Sequence, residues 1–363
     1  MANFNRIQRL FQFYTSDLSI KEIEKLVKRD IPELYDFYAS RMKQSDKPKN
    51  SISGLIHFLK NLFFEFLNLL TPIRRIIYSI ALIFFVIAII NNNWNLIIYF
   101  FLLLNLLIAF ELADKLTAKN ELAVAREIQK SLMPQSPPKN SYFEISACYE
   151  PAKEVGGDYY DFINYDSAPD KIFIAIGDIS GKGMAAAIYM VQVQAILRNI
   201  AGECTTPKTI LTNLNKSLKN ILQKGSFFTI SLASMNSNGT LHLCRAGHLP
   251  LLYFRNKSND CVNIIPSGIG IGLTQSEIFV NSLEQIEIKA ERGDILVFFT
   301  DGVVESMNGS LHEYGIDRLK NIIMQNSQKT AIEIQQAILD SVSLFQDIHP
   351  ANDDLTMIIL KAI

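Results

Sequence analysis

Four aspartates stand in four separated segments of this 363-residue chain: Gly156-Gly157-Asp158, Gly177-Asp178, Asp301-Gly302 and Asp353-Asp354. Ile172 to Ile176 leads into Asp178, Ile295 to Phe299 leads into Asp301, and Leu355 to Leu360 follows Asp353, so three of the four open or close a run that reads as a buried strand. Carboxylates at the ends of core strands repel one another and lose hydration unless positive charge lies between them. An oxygen-only donor set suits hard divalent cations such as magnesium or manganese. The chemistry this predicts is metal-assisted hydrolysis. Two ions about 4 Å apart would share a water and lower its pKa, with a phosphate ester as the natural electrophile. The neighbouring glycines are expected to remove Cβ bulk so that carbonyls and waters can approach the ions. Taken singly, an Asp-Gly pair is an ordinary turn signal. No serine–histidine or cysteine–histidine arrangement competes, and His248 in Ala246-Gly247-His248 reads as structural.

The elements that must carry these acids begin near Ser141. Phe143 to Tyr149, Asp158 to Ile163 and Lys171 to Ile176 read as successive strands, and 182–200 and 206–223 as two consecutive helices. Phe227 to Met235, Thr240 to Arg245 and Leu251 to Phe254 follow at hairpin spacing. After Ile295 to Thr300 come helices near Tyr314 to Met324 and Ala331 to Leu344, then a last strand at 355–361. Runs of strands with helices grouped in pairs predict an α+β fold rather than alternating βαβ units. Strands apolar on both faces predict two stacked sheets with helices outside.

Upstream, Ile76 to Ile90 and Leu96 to Phe110 are unbroken by charge and are separated by Asn91-Asn92-Asn93-Trp94-Asn95. With their Asn and Trp flanks both approach the roughly 20 residues of a membrane span. The alternative, a pair of core helices in a soluble domain, would ordinarily show a polar stripe, and here Ser79 and Asn105 are the only strongly polar interruptions. The expectation is a two-helix transmembrane hairpin at 73–112. Arg74 and Arg75 precede the first run and Lys115 and Lys119 follow the second, which predicts a plasma-membrane protein with both termini and the catalytic domain in the cytoplasm. Residues 1–72 read as an amphipathic helical region, with a possible capping box at Ser19–Glu22 and Pro32 opening or interrupting the next stretch. Ile52 to Leu70 is apolar enough to lie on a membrane surface. A helical connector at 113–138 carries Leu112, Leu116, Leu122, Ala125, Ile128 and Leu132 at helical spacing from its upstream edge. It suits either a short parallel coiled coil, and hence a homodimer, or a helix packed on the next domain. Pro134, Pro137 and Pro138 end it, and 139–363 forms the catalytic domain.

A net charge of −1 shows no nucleic-acid footprint, and four scattered cysteines without a CxxC pair read as buried thiols of a reducing compartment. Met1 to Phe13 lacks the apolar core of a cleaved signal peptide.

The motifs Glu154-Val155-Gly156-Gly157-Asp158-Tyr159-Tyr160-Asp161, Gly177-Asp178-Ile179-Ser180-Gly181-Lys182-Gly183, Phe299-Thr300-Asp301-Gly302-Val303-Val304-Glu305 and Asp353-Asp354-Leu355-Thr356 occur in that order. Together with Ala125-Arg126-Glu127-Ile128-Gln129, Leu132-Met133-Pro134 and Ala246-Gly247-His248-Leu249-Pro250, this set over about 121–363 resembles the sigma-factor-regulatory branch of the bacterial metal-dependent (type 2C, PPM) serine/threonine phosphatases, which includes the sporulation stage II phosphatase. The resemblance implies a four-layer α-β-β-α sandwich with two Mn2+ or Mg2+ ions between the sheets. They would be held by Asp158, Asp178, the carbonyl of Ile179, Asp301 and Asp353. It further implies hydrolysis of phosphoserine or phosphothreonine on a regulator such as an anti-anti-sigma factor. A phosphoprotein-binding scaffold without turnover and an enzyme acting on a small phosphorylated metabolite stand as alternatives. Asp161, three residues from Asp158, faces the other way on a regular strand and reads as supporting or structural, as does Asp354. Where eukaryotic relatives place a phosphate-holding arginine near the first motif, Lys153 stands instead; Lys153 and Lys182 could touch phosphate or simply be solvated. The small-residue stretch Gly183 to Ala187 permits either sliding of its helix or plain helix–sheet packing.

Overall fold

The computed structural model describes residues 52–164, 171–204, 206–219, 221–223, 225–236, 238–274, 276–347 and 353–363. The expected capping box at Ser19–Glu22 and the break at Pro32 lie outside the described residues. In chain order the helices are α1 (Ile52–Leu69), α2 (Pro72–Ile90), α3 (Asn95–Leu132), α4 (Met184–Glu203), α5 (Pro207–Leu218), α6 (Ser276–Ser282), α7 (Asp301–Val304), α8 (Ile316–Gln325) and α9 (Ala331–Gln346). The strands are β1 (Phe143–Glu150), β2 (Asp158–Asn164), β3 (Lys171–Ile179), β4 (Phe228–Asn236), β5 (Thr240–Ala246), β6 (Leu251–Arg255), β7 (Asp260–Ile264), β8 (Gln285–Lys289), β9 (Ile295–Phe299) and β10 (Leu355–Ala362). The chain divides into two compact units, Met1–Thr117 and Ala118–Ile363.

Within the second unit, β1-β10-β9-β6-β7 form one antiparallel sheet and β2-β3-β4-β5-β8 the other. The two-residue period of a strand assigns each side chain to a face. In β9, Leu296 and Phe298 join the core shared by the two sheets, whereas Ile295, Val297 and Phe299 pack with Leu319 and Ile323 of α8 and Ile334 and Ile338 of α9. In β10, Ile358 and Leu360 face the shared core while Met357 and Ile359 face those helices. On the outer face of the other sheet lie Met190, Val193 and Leu197 of α4 and Ile210, Leu211 and Leu214 of α5. The result is the expected sandwich of two sheets flanked by helices. α4 is apolar enough to cross a membrane, but it buries Ala186, Ala187, Met190 and Val193 against this core.

In the first unit, α1 ends where Arg75 caps it, its Nε donating to the carbonyl of Leu67 at 2.9 Å. α2 and α3 are joined by a short turn and pair through tilted ring contacts, Phe85 with Phe100 at 4.9 Å and Phe84 with Tyr99 at 5.8 Å between centroids. Arg74 donates to Glu111 at 3.0 Å and to Asp114 at 2.6 Å, tying the start of α2 to the middle of α3. Both helices are long and apolar enough to cross a membrane, and Ile73, Ile76, Ile90, Ile98 and Phe101 are exposed. The second apolar run and the connector as far as Leu132 are one unbroken helix of 38 residues.

Four elements have no counterpart in the sequence reading: β7, α6, β8 and the single turn of α7. The two strands are five residues each and lie at sheet edges, where one partner is missing and polar residues are tolerated.

Candidate functional site

β2 and β3 pair in a register that sets Asp158 directly opposite Asp178. Two carboxylates at facing positions of neighbouring strands are unfavourable unless neutralised. Asp158 is almost fully buried, and its Oδ2 accepts hydrogen bonds from Thr300 Oγ1 at 2.7 Å and from Thr356 Oγ1. Those threonines continue the inward-facing series of Phe298 and Ile358, so the opposite sheet supplies the hydrogen bonds that hold Asp158 between the layers. Burial, then the charge of Asp178, push the Asp158 carboxyl well above the ordinary carboxylate range, against the pull of the two hydroxyls. Burial and the charges of Asp301, Asp353 and Asp354 push Asp178 up to about 7. Asp301 opens α7 at the end of β9 and is raised by burial and by Asp353.

The acids of four separate segments therefore lie within electrostatic reach of one another, with the backbone of Ile179 beside Asp178 at the end of β3. Among the described residues, no three Asp, Glu, His or Cys side chains are gathered tightly enough to hold an ion as they stand. The donor set is still chemically suited to a hard divalent cation: all oxygen, largely buried, and repelling itself in a way that a cation would relieve.

Asp353 is one-third exposed and takes the ammonium of Lys182, Nζ to Oδ2 2.5 Å. Lys182 is thus ion-paired rather than simply solvated. Lys153 is exposed and, with Lys182, Asp178, Asp353 and Asp354, lines a cleft of only about 10 Å3, scarcely room for one water. Asp354 is structural: its Oδ1 accepts from the Ala152 amide at 2.9 Å and its Oδ2 from the Gly157 amide at 2.8 Å, pinning the loop before Asp158 to the start of β10. Asp161 is fully buried on the opposite side of β2 from Asp158. It receives Arg198 of α4 at 2.7 and 3.0 Å and the Tyr159 hydroxyl at 2.8 Å.

The glycines beside the acids stand where neighbouring segments approach closely. A Cβ at Gly156 would stand 2.1 Å from Asp354 Oδ2, one at Gly302 would stand 2.0 Å from the Asp354 carbonyl oxygen, and one at Gly177 would stand 2.3 Å from the Thr229 carbonyl oxygen. These three admit neighbouring protein segments, while a Cβ at Gly157 would stand 3.0 Å from the Ile179 carbonyl oxygen and 3.2 Å from Asp178 Oδ1, two of the atoms expected to hold the ions. His248 is buried, with Nδ1 2.9 Å from Thr229 Oγ1, and burial lowers its pKa to about 4, so it is neutral and structural. Burial pushes the thiols of Cys148 and Cys244 up to about 12, which leaves them protonated and unsuited to nucleophilic work.

Gln129, near the end of α3, belongs to a motif of the resemblance, but the sequence reading gives it no role. Its side chain is buried, donates to the Gly156 carbonyl at 2.7 Å and accepts from the Gly156 amide at 3.1 Å, holding both polar groups of one residue in the first acidic motif.

Comparison with known proteins agrees with this fold. The Stage II sporulation protein E (SpoIIE) family matches residues 168–363. The chain is 30% identical over 246 residues to phosphoserine phosphatase RsbU of Bacillus subtilis (strain 168), covering 67% of this chain and 70% of RsbU. It is 29% identical over 285 residues to protein IcfG of Synechocystis sp., covering 69% of this chain and 43% of that protein. Among solved structures, the SiaA-PP2C domain of Pseudomonas aeruginosa shares the fold with a TM-score of 0.60 at 18% identity, covering 69% of this chain and 98% of that domain. The chain belongs to the SpoIIE family, in the sigma-factor-regulatory branch of the PP2C-type serine/threonine phosphatases.

Proposed function

We propose that this chain is a membrane-anchored, metal-dependent protein phosphatase that removes phosphate from serine or threonine of a signalling regulator. The observation that carries the proposal is the juxtaposition of Asp158 and Asp178 on adjacent strands, with Asp301 close enough to raise Asp178 further. In this reading Asp158, Asp178, Asp301, Asp353 and the Ile179 carbonyl hold two Mn2+ or Mg2+ ions. The ions, when bound, make water nucleophilic near neutral pH and neutralise phosphoryl oxygens. The protein's own part is positional. Thr300 and Thr356 fix Asp158, Asp354 and Gln129 fix the loop that precedes it, and the stacked sheets keep water out around it. Lys153, exposed at the cleft, is the side chain that would meet a phosphoryl oxygen in place of an arginine.

The membrane part of the proposal rests on α2 and the first half of α3, whose apolar side chains are exposed and whose charged residues lie at the ends away from the turn. We place 1–72 and the catalytic domain on the cytoplasmic side of the plasma membrane, with the hairpin at 73–112, the connector at 113–138 and the catalytic domain at 139–363. In this reading the connector is a homodimer contact, and there is no nucleic-acid partner. RsbU carries the name phosphoserine phosphatase, and a phosphorylated regulator such as an anti-anti-sigma factor is the corresponding substrate class here.

The test is a comparison of Mn2+-dependent turnover by the full chain in detergent on phosphoserine peptides, phosphothreonine peptides and sugar phosphates. Preference for the peptides is expected, and preference for sugar phosphates would overturn the assignment to protein substrates. A reporter fused at Asn93 is expected on the outer face of the membrane; a cytoplasmic reporter would overturn the hairpin.

A further inference from the structure

We propose that Lys182 is a tethered counter-ion that competes with a divalent cation for Asp353 and holds the carboxylate cleft closed. The proposal rests on the metal-centre reading above and adds to it a device for setting metal affinity. Lys182 and Asp353 are 171 residues apart, yet their charged groups meet at 2.5 Å, and both line the cleft of about 10 Å3 that also receives Asp178. An ammonium on Oδ2 screens one of the carboxylates a cation would need. A cation engaging that oxygen meets the lysine's positive charge at close range, so its binding favours displacement of the lysine.

The loop carrying Lys182 is built to let this happen. Lys182 lies between the end of β3 and the start of α4, flanked by Gly181 at φ +104° and Gly183 at φ +76°. Both glycines adopt left-handed backbone that other residues resist, and neither has a heavy atom within 4 Å of the position a Cβ would take. The segment can therefore swing without unpacking the core. The lysine side chain is 54% exposed and the aspartate 33%, so the bond is partly solvated and of the weak class. A weak, solvent-facing pair suits a competitor that must yield at working metal concentrations. A buried one would exclude the ion altogether.

The experiment measures Mn2+ affinity directly, from the electron paramagnetic resonance signal of free Mn2+ titrated into the full chain in detergent, with circular dichroism confirming the fold of each variant. Lys182→Met is expected to bind Mn2+ about two- to fivefold more tightly than the unsubstituted chain, the range corresponding to an exposed ion pair. Lys182→Arg, which keeps the charge, is expected to stay near the starting affinity. In an Asp353→Asn background, Lys182→Met is expected to have no further effect, because the contested carboxylate charge is gone. Unchanged affinity in Lys182→Met would overturn the proposal. So would equal tightening in the Asp353→Asn background, which would mark a long-range field rather than competition for one carboxylate. Folded protein that binds no Mn2+ with or without Lys182 would overturn the metal-centre reading itself, and this proposal with it.

Discussion

Replacing Asp178 by Asn should stabilise the metal-free protein at alkaline pH while abolishing its capacity to bind the cation. Burial and its acidic neighbours raise Asp178 from 3.8 to about 7 in the folded chain. The folded state therefore holds this proton more tightly than the unfolded state, and the stability it contributes is fully present below pH 3.8 and lost as pH rises through 7. About three pKa units at 1.36 kcal/mol each correspond to about 4 kcal/mol lost by pH 8. Asparagine has the same shape and never ionises. In chelator at pH 8, Asp178→Asn should be more stable than the unsubstituted chain by about 4 kcal/mol, a shift of about 1.3 M in the urea midpoint for a slope near 3 kcal/mol/M. At pH 4 the two should coincide. Mn2+ should then close the gap at pH 8 by stabilising only the chain that keeps Asp178. Near-UV circular dichroism followed through urea unfolding at the two pH values measures all of this. Equal stability at pH 8, or a difference that does not change with pH, would refute the claim that Asp178 is destabilised by burial among like charges.

Two further perturbations act on other parts of the structure. His248 titrates with the opposite sign: its folded pKa is lowered to about 4, so stability falls as pH drops from 6.5 towards 4, by about 3 kcal/mol. His248→Gln should flatten that acid limb in a pH series of urea midpoints and leave the limb above pH 7 unchanged. Gly302→Ala places a methyl 2.0 Å from the Asp354 carbonyl oxygen, a backbone atom that cannot rotate away. Overpacking of this kind typically costs about 1–3 kcal/mol. Because Asp354 anchors the Ala152 and Gly157 amides, turnover should fall further than the loss of stability alone would explain, which parallel assays of unfolding and phosphate release would separate.

The sequence patterns carried the sandwich because its central strands, β3, β9 and β10, are apolar on both faces, and only a strand buried on both sides can be so. Edge strands β7 and β8 are short and half polar, and left no comparable mark. The four acids were visible as residue types beside strand ends, but their partners were not. Thr300 and Thr356 reach Asp158 only because two separate sheets stack with their inward series aligned, which depends on pairings 142 and 198 residues apart. The Lys182–Asp353 pair and the clamp of Gln129 on Gly156 are likewise products of tertiary folding, without local periodicity to announce them. The glycines illustrate a different limit. Their positions were evident, but whether they make room for ions or for the Asp354 segment depends on which segment folds against them.

The central claim, that the gathered aspartates hold the cations which make hydrolysis possible, is tested most directly by phosphate release from a phosphoserine peptide. The full chain and its Asp301→Asn variant should be assayed in detergent, each with Mn2+ and with chelator. Turnover by the unsubstituted chain that requires Mn2+ and is lost in the folded Asp301→Asn variant is the predicted result. Turnover that survives chelation, or that persists undiminished in Asp301→Asn, would contradict it.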